Sequence, residues 1–152
     1  QYVWLQNHHT LSIDNFDLPC DRVTTYLCSK EVYVPDCYVG AYPEYRLNFR
    51  TIAEYPWSYF FVKNMFLRLN DVELKDFTED WLVICAPDYV EQEPERYGLR
   101  QGNFSILNFS RKIALIAGSA YTGEMKNGIF SSLKQILPVE KNVIHMHCYA
   151  NV

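Results

Sequence analysis

Trp81-Leu82-Val83-Ile84-Cys85-Ala86 is an uninterrupted apolar run of strand length. A strand with no polar side needs cover on both faces, which places it in the middle of a sheet flanked by other layers. A second apolar run, Ile113 to Ile116, leads through Ala117 into the glycine-punctuated turn Gly118-Ser119-Ala120-Tyr121-Thr122-Gly123. A helical pattern follows from Gly123 to Leu137, with Ile129, Phe130, Leu133, Ile136 and Leu137 on its inner side and Pro138 after it.

The rest of the chain supplies partners for this strand–turn–helix. Phe16, Cys20, Val23, Tyr26 and Leu27 recur at helical spacing from about Asn15, with Pro19 expected in the first turn, where its missing N–H costs nothing. Glu31 to Val39 reads as a strand in which Pro35 marks a bulge or a sheet edge. Gly40 to Glu44 is a turn. Arg46 to Ile52 alternates, with Leu47 and Phe49 against Asn48 and Arg50. Pro56 opens a helix from Trp57 to Phe66 that is apolar nearly all round and is expected to be buried. Asn70 and Glu73 have the spacing of a capping box for a short helical turn. Residues 87–103, with two prolines, two glycines and six charged side chains, read as a long surface loop. Phe104–Asn108 and Lys112–Ala117 are strands around a turn at Ser110, and Val143 to Val152 is expected to close the chain as a strand. Strands and helices alternate in places and strands run together elsewhere. The expectation is one domain over residues 1–152 with a mixed sheet and flanking helices, α/β or α+β.

Composition excludes several functions. The formal charge is −4, and the basic residues form no run, so a nucleic-acid footprint is not expected. No apolar run reaches bilayer length, so no membrane span is expected. Five cysteines at positions 20, 28, 37, 85 and 148 make no CxxC pair, which points to a reduced, cytoplasmic setting. There the sequons at Asn103 and Asn108 have no role. None of the six glycines is followed by Lys, so the chain carries no phosphate-binding loop of the Gly-Lys-Ser/Thr type.

Chemistry concentrates near the C-terminal end. Gly118 and Gly123 allow close backbone approach, the helix start offers free N–H groups, and Lys126 adds a full charge, a combination suited to a carboxylate or phosphate. The bland alternative is an ordinary strand-to-helix turn with a surface lysine. His145 and His147, two apart on the expected strand, would leave one face as a half-site for a divalent cation, or else serve as ordinary packed histidines. Cys148 lies on the opposite face and reads as a packed thiol, and His8 and His9 as solvated surface.

Two stretches together are more specific than either alone: Tyr121-Thr122-Gly123-Glu124-Met125-Lys126-Asn127-Gly128-Ile129-Phe130-Ser131 and Met146-His147-Cys148-Tyr149-Ala150-Asn151-Val152. With Tyr45–Arg50, Asn64–Arg68, Glu73–Phe77 and Phe104–Phe109 in the same order, they closely resemble ATP-dependent phosphoenolpyruvate carboxykinase over nearly the whole chain. The resemblance implies the later part of that enzyme's N-terminal domain. The substrate loop would lie before Gln1 and the nucleotide-binding P-loop domain, absent here, after Val152.

The reaction so implied converts oxaloacetate and ATP to phosphoenolpyruvate, carbon dioxide and ADP in gluconeogenesis, with Mn2+ and Mg2+ as cofactors. By resemblance, Tyr121 faces substrate, Lys126 lies near the transferred phosphoryl group, and His147 ligates manganese. Asn127 stands where the family has a second ligating Lys, and Tyr149 where it has Ser. The expectation is therefore a fragment or degenerate relative, inactive alone, with at most weak Mn2+ binding. A non-catalytic binding module is the alternative, with self-association through exposed sheet edges.

Overall fold

A computed structural model of the chain describes residues 13–146, with side chains from Phe16 onward in the first helix. Its centre is a six-stranded mixed sheet in the order β3-β1-β2-β4-β6-β5. The strands are β1 (Asp36–Val39), β2 (Leu47–Ala53), β3 (Leu67–Arg68), β4 (Trp81–Ala86), β5 (Phe104–Asn108) and β6 (Ile113–Ala117). β2, β4 and β6 run parallel, whereas β1, β3 and β5 pair antiparallel. The fold is thus α/β, with β4 central and paired on both sides as its apolar sequence requires.

Alternation along the strands splits the core in two. Phe49, Val83, Cys85, Ala114 and Ile116 pack with Val62 of α2 (Pro56–Met65) and with Met125, Ile129 and Leu133 of α4 (Gly123–Glu140). Ile84, Ala86, Leu115 and Ala117 face the other way and meet Phe16, Val23 and Leu27 of α1 (Ile13–Leu27). Three layers result: α1, the sheet, and α2 with α4. The short helix α3 (Asp71–Lys75) is started by the expected capping box. Asn70 Oδ1 accepts from the Val72 and Glu73 N–H groups, and Glu73 reaches back to the Asn70 N–H.

Several expectations are corrected. Pro19 lies in the second turn of α1, buried, because that helix starts at Ile13. Pro35 sits in no bulge, since Tyr33 opposite Ala53 and Asp36 opposite Arg50 keep one register. It divides the expected strand into an isolated bridge, Tyr33 with Ala53, and β1, which lies inside the sheet. Helix α2 is not buried all round: only Ser58 and Val62 are, while Trp57, Phe60 and Met65 are exposed. One turn of the helix touches the sheet, and its apolar outer side has no cover among the described residues. The 87–103 segment is less open than its composition suggests, since Glu91 and Tyr97 are buried. Helix α4 runs through Pro138 to Glu140. Residues 143–146, the first four of the expected closing strand, form no strand, and residues 147–152 lie outside the described residues.

Candidate functional site

The C-terminal ends of the parallel strands fall side by side, with Ala53 opposite Cys85 and Ala86 opposite Ala117. In open α/β sheets this rim is where ligands bind. The Gly118 N–H donates to the Ala86 carbonyl at 3.1 Å, tying the turn after β6 to the end of β4. Gly118 has φ of 69°, and a Cβ there would lie 2.7 Å from Asn103 Cβ and 2.9 Å from Asn103 Cα. Only glycine fits, both for the left-handed backbone and for the loop from β4 that packs on it.

The turn then presents Tyr121, which is 65% exposed. Its N–H donates to Ser119 Oγ at 3.3 Å, and its ring folds over Gly123, where an added Cβ would fall 2.4 Å from Tyr121 Cζ. Thr122 begins α4 without a side-chain cap; the Glu124 and Met125 N–H groups donate to the Tyr121 and Thr122 carbonyls, and the Tyr121 hydroxyl lies over Gly123. Met125, Gly128, Ile129, Ser132 and Leu133 form the buried stripe. Gly128 brings the helix close to the sheet, near Ala114 and Leu107. Lys126 and Asn127 therefore fall away from the core, with Asn127 exposed and Lys126 half-buried.

The Lys126 ammonium lies 5.5 Å from the Phe130 ring centroid, and the His145 ring packs against the same phenyl group at 5.5 Å, edge to face. Beyond α4 the Val143 N–H donates to the Leu137 carbonyl. From Leu137 to Phe130 the segment thus travels two turns back along α4, toward Lys126. The structure brings Tyr121, Lys126 and Asn127 to the start of one helix and His145 to the ring beneath Lys126. His147 lies outside the described residues. Because residues 143–146 are not a strand, the alternation that would pair His145 with His147 on one face does not apply to this segment. Among the described residues no group of three His, Cys, Asp or Glu side chains is placed to hold a metal ion.

Sequence reasoning missed a polar network on the same rim. Glu54, directly after β2, is buried and accepts from Tyr26 Oη at 2.5 Å and from the Asp88 N–H at 3.1 Å, with Lys30 Nζ at 3.7 Å. Tyr55 donates to Asp88, which holds the Tyr55 hydroxyl pKa up at about 12. Glu91, its side chain 1% exposed, accepts from Tyr89 Oη at 2.8 Å, Arg22 Nη1 at 2.9 Å and the N–H groups of Gln92 and Glu93 at 3.0 and 3.2 Å. Burial works to raise the Glu91 pKa, but the hydrogen bond from Tyr89, the two N–H groups and the Arg22 charge outweigh it, and the pKa is lowered. The Tyr89 hydroxyl is pushed up to about 12, first by burial and then by Glu91. These groups bolt α1 and the 87–103 loop to the rim beside Gly118. The available signal was a carboxylate within two residues of a strand end, which Glu54 and Asp88 both are.

The phosphoenolpyruvate carboxykinase family model for ATP-dependent enzymes matches residues 1–152. This chain belongs to the ATP-dependent phosphoenolpyruvate carboxykinase family. It is 55% identical over 137 residues to phosphoenolpyruvate carboxykinase (ATP) of Christiangramia forsetii, covering 90% of this chain and 26% of that protein. The Flavobacterium johnsoniae protein of the same name is 53% identical over 151 residues, 99% of this chain and 28% of its own length. That of Amoebophilus asiaticus is 39% identical over 149 residues, covering 98% and 28%. The chain thus spans roughly a quarter of the curated carboxykinases it matches (26–28%). The mixed α/β sheet with flanking helices agrees with an N-terminal-domain-like part of this family. No helix among the described residues is long and apolar enough to cross a membrane.

Proposed function

We propose that the chain is the part of an ATP-dependent phosphoenolpyruvate carboxykinase that presents the oxaloacetate or phosphoenolpyruvate side of the reaction. The residues involved are Tyr121 and Lys126 at the turn after β6. The observation that carries this reading is the path of the chain around α4. The turn held by Gly118 sets Tyr121 and Lys126 at the helix start, and the segment after the helix doubles back to bring His145 onto Phe130 beneath Lys126. An exposed phenol, an ammonium group and the positive end of a helix without a side-chain cap suit a small dicarboxylate or phosphoenol anion. In the reaction, decarboxylation leaves an enolate, and Lys126 would stabilise its negative charge. Phosphoryl transfer from ATP asks chiefly for positioning and cations.

His147 and Asn127 are the proposed holders of Mn2+, with Mg2+ accompanying ATP. The Asn127 carbonyl oxygen is a hard donor of the kind such cations accept, but it is shorter than the lysine it replaces, and affinity should be low. Alone, the 152 residues lack a Gly-Lys-Ser/Thr loop and should not turn over. A coupled assay should find no ATP-dependent phosphoenolpyruvate formation from oxaloacetate. Turnover by this chain would overturn the reading of it as a partial site. Asn127→Lys should raise Mn2+ affinity about tenfold or more in a thermal-shift titration, and an unchanged affinity would remove Asn127 from the metal site.

A second reading, a non-catalytic interaction module, is favoured by one observation. Trp57 and Phe60 on the outer side of α2, Met65 at its end and Leu67 on the edge strand β3 are all exposed. Large exposed apolar patches mark association surfaces. Light scattering that grows with concentration supports this reading, and a monomer at all concentrations counts against it.

A further inference from the structure

At the end of the sheet away from Gly118, the starts of β2 and β4 and the C-terminal half of α4 enclose a cleft of about 290 Å3. This is near the small end of the roughly 300–1,000 Å3 typical of ligand pockets. Leu47, Trp81, Leu133, Ile136 and Leu137 contribute apolar wall, and Phe109 stands at one side. The charged groups around it balance, with Arg46, Lys112 and Lys141 against Glu44, Asp80 and Glu140. The wall therefore has no net preference for an ion of either sign.

One group in this wall is out of place for a plain core. Trp81 is 1% exposed, and its indole Nε1–H has no hydrogen-bond acceptor among the described residues. A buried indole N–H ordinarily finds a partner, because leaving it unpaired costs free energy. The Phe109 ring packs edge to face with Trp81 at 5.5 Å, and a π face is a feeble acceptor where it meets an N–H. Phe109 is itself 36% exposed, so solvent rather than core surrounds part of its ring.

We propose that this cleft is a binding site for a small uncharged molecule with an apolar body and one acceptor oxygen, such as a carbonyl. The oxygen accepts a hydrogen bond from the Trp81 indole N–H as Phe109 swings out, and the body lies against Leu133, Ile136 and Leu137. An uncharged ligand follows from the balanced charges, the acceptor from the unpaired donor, and the small size from the volume. The site is at the opposite end of the parallel strands from the turn that carries Tyr121 and Lys126, so it does not depend on the function proposed for that turn.

The experiment compares acetophenone with ethylbenzene, a pair of similar size of which only the first has an acceptor oxygen. Each is titrated into the 15N-labelled chain while the indole N–H resonances are followed, with the Trp81 signal identified by its loss in Trp81→Phe. The expected result is a saturable downfield shift of the Trp81 resonance with acetophenone and binding about fivefold tighter than for ethylbenzene, the difference one neutral hydrogen bond makes. Trp81→Phe should bring the two probes to equal affinity. Absence of a saturable shift, or equal affinity of the two probes for the unaltered chain, would overturn the proposal. That comparison stands whether or not the Trp81→Phe chain folds.

Discussion

Replacing Glu91 by Ala removes one carboxylate that serves four donors. Two of these, the N–H groups of Gln92 and Glu93, belong to exposed residues and regain water when the carboxylate is lost. Arg22 is 41% exposed along its side chain and likewise rehydrates. The Tyr89 hydroxyl does not: it lies half-buried, with its ring against Tyr26, and loses a 2.8 Å bond to an ionised acceptor. Such a bond contributes about 1.5–3 kcal/mol, and the space vacated in a region closed to solvent adds roughly 1 kcal/mol. The expected destabilisation is therefore about 3 kcal/mol, or a fall in Tm of about 6–12 °C for a domain of this size. Urea unfolding followed by tryptophan fluorescence measures it, with the slope unchanged if only the folded state is affected. Glu91→Gln keeps the shape and one acceptor oxygen and should lose about half as much.

The pH dependence distinguishes an ionic role from a packing role. The folded-state pKa of Glu91 is below its ordinary value, so the folded chain binds that proton more weakly than the unfolded chain. The stabilisation is complete above the unfolded carboxylate pKa of about 4.3 and is lost as pH falls through the lower folded value. The gap between the parent and Glu91→Ala should hold at neutral pH and narrow in acid. A loss within about 0.5 kcal/mol at neutral pH would refute the reasoning, and a gap of constant size down to low pH would assign the effect to packing instead.

The two helix-adjacent glycines should respond oppositely. Gly118→Ala, at φ of 69° and with Asn103 Cβ 2.7 Å from the new methyl group, should cost about 2 kcal/mol or more in thermal unfolding. Gly128→Ala places its methyl 3.5 Å from Ala114 Cβ, an ordinary contact, and should be neutral or stabilising by up to about 1 kcal/mol. Equal effects would mean that backbone conformation is not what selects glycine at position 118. In alkali, Tyr55 and Tyr89 hold hydroxyl pKa values of about 12, above the ordinary value of about 10. Their contribution is present below about pH 10 and lost as pH rises through about 12, so a Tyr55→Phe/Tyr89→Phe chain should show a flatter fall of Tm over that window. A fall as steep as the parent's would exclude both hydroxyls.

What could be read from the residues differs along the chain for definite reasons. The apolar runs of β4 and β6 and the alternation of β2 report burial directly, so the sheet was legible. For α2 the same kind of signal misled. Composition records what a helix offers to bury, and the single turn at Ser58 and Val62 that meets the sheet is a tertiary fact. The turn of Gly118 to Gly123 was legible because left-handed backbone and close approach leave a glycine signature in the sequence. The Glu54 and Glu91 networks join partners 28 and 69 residues apart, and no local pattern announces them. Yet these networks hold the loop whose Asn103 and Tyr89 backbone press on Gly118, and through it the position of Tyr121. The visible motif therefore rests on an invisible support. Substitutions at Glu91, away from Tyr121 and Lys126, should disturb the turn as well as the stability, and a Tyr121 environment unchanged in Glu91→Ala by NMR would sever that link.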